Sequence, residues 1–223
     1  MTRYATTALA ALALALSGCD RAVDGQPVAA SATAKHMQTD ASNVPAPPST
    51  PDTPVVHNIG EEVQFFIEDL NRFWGMYEIT TGAMAKEETA PFTCPHGEPT
   101  KGNAANCAGV VLYDAEGLEA EASGHRYVVG EVIAHEVGHT VEAQLGQHDR
   151  SVYAHELAAD CLSGMYVAGK GVPLADASQD FTHTGMYAYA GDEALTAFQK
   201  GYNNFSDSDM SIAHVKRCIP KEH

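Results

Sequence analysis

The segment His135-Glu136-Val137-Gly138-His139 constrains this chain more than any other. On an α-helix, residues i and i+4 share one face, so both imidazoles can reach the same point in space. Two histidines at this spacing, with a glutamate beside the first, point to a metal site. Glu136 is placed to act on a metal-activated water rather than to ligate. The run Val128-Val129-Gly130-Glu131-Val132-Ile133-Ala134 ahead of the motif is mostly apolar. That suits a buried helix whose histidines open into a cleft floor. The pattern predicts a helix over Tyr127–Leu145, stopped by Gly146.

A metal site that keeps one position open for water needs a third protein ligand. The extended pattern HExxHxxGxxH fails, because Glu142 stands at its glycine and Leu145 at its last histidine. The next candidates are His148, His155, Glu156 and Asp160. Glu156 and Asp160 lie one helical turn apart, giving one carboxylate for the metal and a second to orient a ligating imidazole. A short turn containing Gly146 would fold this second helix, about Ser151 to Ala168, back against the first. Glu156 is favoured as the ligand. His155 points elsewhere on the helix, and His148, in the turn, is the rival.

Other elements follow from periodicity. Val63, Phe66, Ile67, Leu70 and Trp74 recur at three- and four-residue steps, predicting a helix over Ile59–Trp74 interrupted at Gly75. Val110-Val111-Leu112-Tyr113 reads as a strand, expected at a sheet edge where an extended peptide could add to it. Ala194–Tyr202 predicts a further helix. Helices dominate, so the expected class is α+β, mainly helical with a small β-sheet or hairpin.

The N-terminus carries a different signal. Arg3 precedes an apolar run from Ala5 to Leu16, too short to span a bilayer and suited to a signal peptide. Leu16-Ser17-Gly18-Cys19 resembles a bacterial lipobox, in which Cys19 is lipidated and becomes the first mature residue. Residues 1–18 are thus expected to be the signal, and 19–56 a disordered Ala/Pro/Ser/Thr-rich tether with five prolines between Pro45 and Pro54. The remaining domain is 57–223. Its place would be the bacterial cell envelope, anchored to the membrane through Cys19 and facing the periplasm.

With Cys19 lipidated, four cysteines remain: Cys94, Cys107, Cys161 and Cys218. An even number in an exported chain implies two disulfides, for which three pairings exist. Cys94 with Cys107 would close a short Pro/Gly loop; Cys161 with Cys218 would then pin the C-terminal tail. The formal net charge of −16 excludes a general nucleic-acid binder, since a polyanion would be repelled.

Tyr127–Gly146 (YVVGEVIAHEVGHTVEAQLG) resembles the active-site helix of the bacterial neutral zinc metallopeptidase family, a small gluzincin-like group. Glu156–Gly164 (ELAADCLSG) is similar to that family's glutamate-ligand helix. Asp180-Phe181-Thr182-His183 and Pro91-Phe92-Thr93-Cys94-Pro95 resemble two further segments, the latter leading to its edge strand. The resemblance implies a zincin-like (minigluzincin) fold. It implies one Zn²⁺ held by His135, His139 and Glu156, with Glu136 as general base and Asp160 as a supporting carboxylate. It also favours pairing Cys161 with Cys218. The chain departs from the family at Thr140, at the long stretch Gly185–Asp192 and in the loop containing Cys107.

The activity so implied is peptide-bond hydrolysis in exported proteins or peptides. The oxyanion formed would need a second stabiliser, for which His183 and Tyr187 are candidates. The rival readings are a non-catalytic zinc-stabilised binding module, against which Glu136 argues, and a metal buffer, which the scattered placing of the eleven histidines weakens.

Overall fold

The order of elements explains how a short sheet comes to serve a helical core. The computed structural model describes residues 58–94, 102–146 and 151–219, all within the unit 46–223. The signal segment, Cys19, the tether and His148 lie outside the described residues. Helix α1 (Ile59–Gly75) is followed by strands β1 (Met84–Glu87), β2 (Ala104–Cys107) and β3 (Val110–Tyr113). Then come α2 (Ala115–Ala122), α3 (Val128–Gln144), α4 (Val152–Gly169), α5 (Leu174–Phe181), α6 (Gly185–Ala190), α7 (Asp192–Asn204) and α8 (Ile212–Val215). Among the described residues, no helix is long and apolar enough to cross a membrane.

Helix α1 starts where the Asn58 side chain accepts from the Gly60 N–H at 2.8 Å. Its Val63, Ile67, Leu70, Phe73 and Trp74 are buried in the main core. The helix runs through Gly75 rather than stopping before it.

The sheet has the order β1-β3-β2, with β1 parallel and β2 antiparallel to β3. This corrects the expectation for Val110–Tyr113. That strand is central and its backbone is paired on both sides; the edges are β1 and β2. The β2–β3 turn places Ala108 at φ 55° and Gly109 at φ 91°. Positive φ at both central residues is the two-residue turn that matches strand twist, and glycine adopts it without strain.

Helix α3 is buried nearly all round, from Val128 through Val141, because α1, α2, α4, β2 and β3 all pack on it. Its contact with α4 is close. A Cβ on Gly138 would lie 3.1 Å from the Ala159 Cα, so the two backbones approach through small residues. The α4–α7 contact is closer still. A Cβ on Gly164 would lie 2.0 Å from the Phe198 carbonyl oxygen, and one on Gly201 only 1.7 Å from that of Cys161. Two disulfides form, Cys94–Cys107 and Cys161–Cys218, the second tying α4 to the C-terminal segment.

Candidate metal centre

The close α3–α4 contact sets the motif helix face to face with the carboxylates of α4. His135, His139 and Glu156 each offer a ligand atom, and these atoms lie within 4.8 Å of one another, so the group could hold a metal ion. His135 Nε2 is 3.1 Å from Glu156 Oε2, and His139 Nε2 is 3.9 Å from Glu156 Oε1. The two imidazole rings stand at 89° to each other with centroids 4.9 Å apart. Both Nε2 atoms therefore face the same carboxylate from different directions.

The opposite ring nitrogens are held by other carboxylates. His135 Nδ1 donates to Asp160 Oδ1 at 2.8 Å, both groups being buried. A proton fixed on Nδ1 leaves the Nε2 lone pair for a metal. His139 Nδ1 lies 3.7 Å from Glu142 Oε2, which also accepts from His155 Nδ1 at 3.2 Å. Glu142 is buried, and the sequence reading saw it only as a break in an extended motif. The signal that could have found it is its position three residues after His139, on the same helix face.

The electrostatics of the pair favour positive charge. Burial opposes charge on His135, but hydrogen bonds to Asp160 and Glu156, with the Glu136 charge nearby, raise its proton affinity well above the ordinary value. Burial pushes the Glu156 carboxyl up, yet the hydrogen bond and charge of His135, with His139 and His155, bring it below the usual range. Burial raises Asp160, only partly offset by His135. A place that draws a proton this strongly between imidazole and carboxylate suits a cation generally.

Glu136 is half-buried beside this group and outside the donor set. Its backbone carbonyl accepts from Asn106 Nδ2 at 2.7 Å, and the same amide donates to Thr140 Oγ1 at 2.8 Å. Asn106 thereby bolts edge strand β2 to the motif helix, and Thr140 has a structural role. The group opens into a cavity of about 670 Å³ lined by Gly102–Asn106, Glu121, Val132, Val152 and the α6 residues Gly185, Met186, Ala188 and Tyr189. Glu121 clamps its two walls, accepting from Asn103 Nδ2 at 2.7 Å and from the Gly185 N–H at 2.5 Å.

The two residues suggested for oxyanion stabilisation are engaged elsewhere. His183 is exposed, stacks on His125 with ring centroids 3.5 Å apart, and does not line the cavity. The Tyr187 hydroxyl donates to Asp192 Oδ1 at 3.1 Å. Instead, Tyr189 is the phenol that lines the cavity. Compared with models of known families, with curated proteins and with solved structures, the chain matches none.

Proposed function

We propose that this chain is a zinc-dependent peptidase with a zincin-like fold, hydrolysing peptide bonds in exported proteins or peptides. The observation that carries the reading is the convergence of two imidazoles and one carboxylate on one point, with a second glutamate outside the set. Two nitrogens and one oxygen form a donor set that fits Zn²⁺ with a position left open. His135, His139 and Glu156 would hold the ion. When bound, it would supply Lewis-acid polarisation of a carbonyl and a water of lowered pKa.

The chain's own residues account for the rest. Glu136 takes the proton of the attacking water on its carboxylate and hands it to the leaving amine nitrogen. Asp160 and Glu142 keep the imidazoles turned so that Nε2 faces inward. Edge strand β2 lines the cavity, so an extended substrate can add to it through main-chain hydrogen bonds. The lipobox ending at Cys19 supports a tethered site on the cell envelope.

Zinc-loaded full-length chain is expected to cleave an unfolded protein substrate, and Glu136→Gln to lose about 10²–10⁴-fold while keeping its zinc. Equal cleavage by the two, at full metal occupancy, refutes Glu136 as the base. Absence of cleavage by the parent across unfolded substrates favours the binding-module reading.

A further inference from the structure

The surface beside the metal cleft holds an apolar feature that folding does not explain. Six large hydrophobic residues are strongly exposed among those described, and three of them stand together: Val152 at 70%, Tyr153 at 39% and Tyr189 at 59%. Val152 and Tyr189 both line the metal cavity, and the rings of Tyr153 and Tyr189 pack with centroids 6.4 Å apart. None of the three is among the buried residues of the hydrophobic core. Contiguous exposed apolar surface continuous with a cleft marks a binding site.

The wall that carries Tyr189 is fixed in place. Helix α6 has no buried residue, yet Glu121 holds its first N–H, the Thr184 hydroxyl caps it, and Tyr187 ties it to Asp192. It ends at Gly191, whose φ of 59° and ψ of −133° reverse the chain into α7. Met186, from the same short helix, also faces the cavity.

From this arrangement we propose that Val152, Met186 and Tyr189 form a rim that takes one large apolar or aromatic side chain of an extended polypeptide lying in the cleft. The proposal deepens the peptidase reading and rests on it for the bound chain. Two observations select this occupant. The opposite wall is edge strand β2, which offers main-chain partners to a polypeptide and not to an acyl chain. Among the described residues, the cavity lining also contains Glu121, Glu136 and Glu156 and no lysine or arginine. Those three carboxylates repel an anionic ligand such as a fatty acid, for which the bound metal ion would be the single counter-charge.

The test uses binding, so that it does not depend on turnover. Zinc-loaded full-length Glu136→Gln is titrated with two fluorescein-labelled peptides, one of alanine and glycine only and one with a single central phenylalanine. The phenylalanine peptide is expected to bind about tenfold more tightly. Adding Val152→Ser and Tyr189→Ser should reduce that ratio to near one, with an unchanged circular-dichroism spectrum and full zinc occupancy showing that the variant is folded. Serine at the remote exposed Phe65 and Met76 should leave the ratio intact. Equal binding of the two peptides by the parent overturns the proposal, as does a ratio the rim variant leaves standing or the remote variant equally abolishes. So does stronger binding of a labelled fatty acid than of the phenylalanine peptide. Rim-dependent binding together with no cleavage by the Glu136 chain would sink the peptidase reading and keep the rim. Cleavage of both peptides with no rim preference would do the reverse.

Discussion

Glu131 lies on the motif helix, fully buried, and neither of its carboxylate oxygens has a hydrogen-bond partner. Burial and the nearby Asp180 charge raise its pKa well above the ordinary 4.5. The folded state therefore keeps a proton that the unfolded chain releases once the pH passes that ordinary value. The sign follows from linkage. The unfolded state binds fewer protons, so stability falls as pH rises from about 4.5 until the folded carboxyl itself ionises. Over that window the loss is about 1.4 kcal/mol per pH unit for one proton.

Glu131→Gln keeps the shape and removes the titration. Both proteins should lie within about 1–2 kcal/mol of each other at pH 4, where the difference is that between one buried polar group and another. Above pH 4.5 the variant should gain on the parent at about 1.4 kcal/mol per unit, becoming the more stable of the two. The assay is urea unfolding of metal-free parent and variant, side by side, at half-unit steps from pH 4 to 7. Titrations elsewhere, the metal site included, cancel in the difference at each pH. A difference independent of pH would refute the reasoning, since Glu131 would then be ionised in the folded state.

Three further predictions concern the metal site and the packing that builds it. Asp160→Asn and Glu142→Ala should each weaken zinc binding about 10–100-fold in competition with a chromophoric chelator, because each frees one ligating imidazole to turn; unchanged affinity in either removes that carboxylate from the site. Gly201→Ala should cost about 3 kcal/mol or more by chemical unfolding, as its Cβ would stand 1.7 Å from a backbone oxygen and α7 must move off α4. Replacing the Cys161–Cys218 pair, separated by 57 residues, should cost about 4 kcal/mol, against about 3 kcal/mol for Cys94–Cys107, separated by 13. The reverse order in oxidised-chain unfolding would show that chain entropy does not govern them.

Helix α1 was legible because burial of one face imposes a period on the residues, whereas α3 and α4, buried over most of a turn or all round, were legible from the motif spacing, the apolar runs and the glycines that end them. The expected spans at Ile59–Trp74, Tyr127–Leu145 and Ser151–Ala168 became α1, α3 and α4 within a residue or two at each end. The short elements were not. α6 buries nothing and α2 buries only Leu118, so neither leaves a period to detect. β1 has exposed residues at three of its four positions, which hides it in the same way.

By itself, the sequence determined which side chains can meet one ion, since i and i+4 on a helix share a face whatever surrounds it. It singled out the second carboxylate pair at Glu156 and Asp160 by the same rule. Only the tertiary structure decided the partners that depend on how elements are placed. Val110–Tyr113 proved central rather than an edge because β1, 26 residues earlier in register at Met84, pairs with its far side. His183, in the turn ahead of α6, proved to stack on His125; within α6 the rotation of a six-residue helix turned Tyr187 to Asp192 and left Tyr189 at the cleft. Local spacing carries the geometry of one helix, and the direction in which neighbouring elements present their faces is set by packing between residues far apart in the chain.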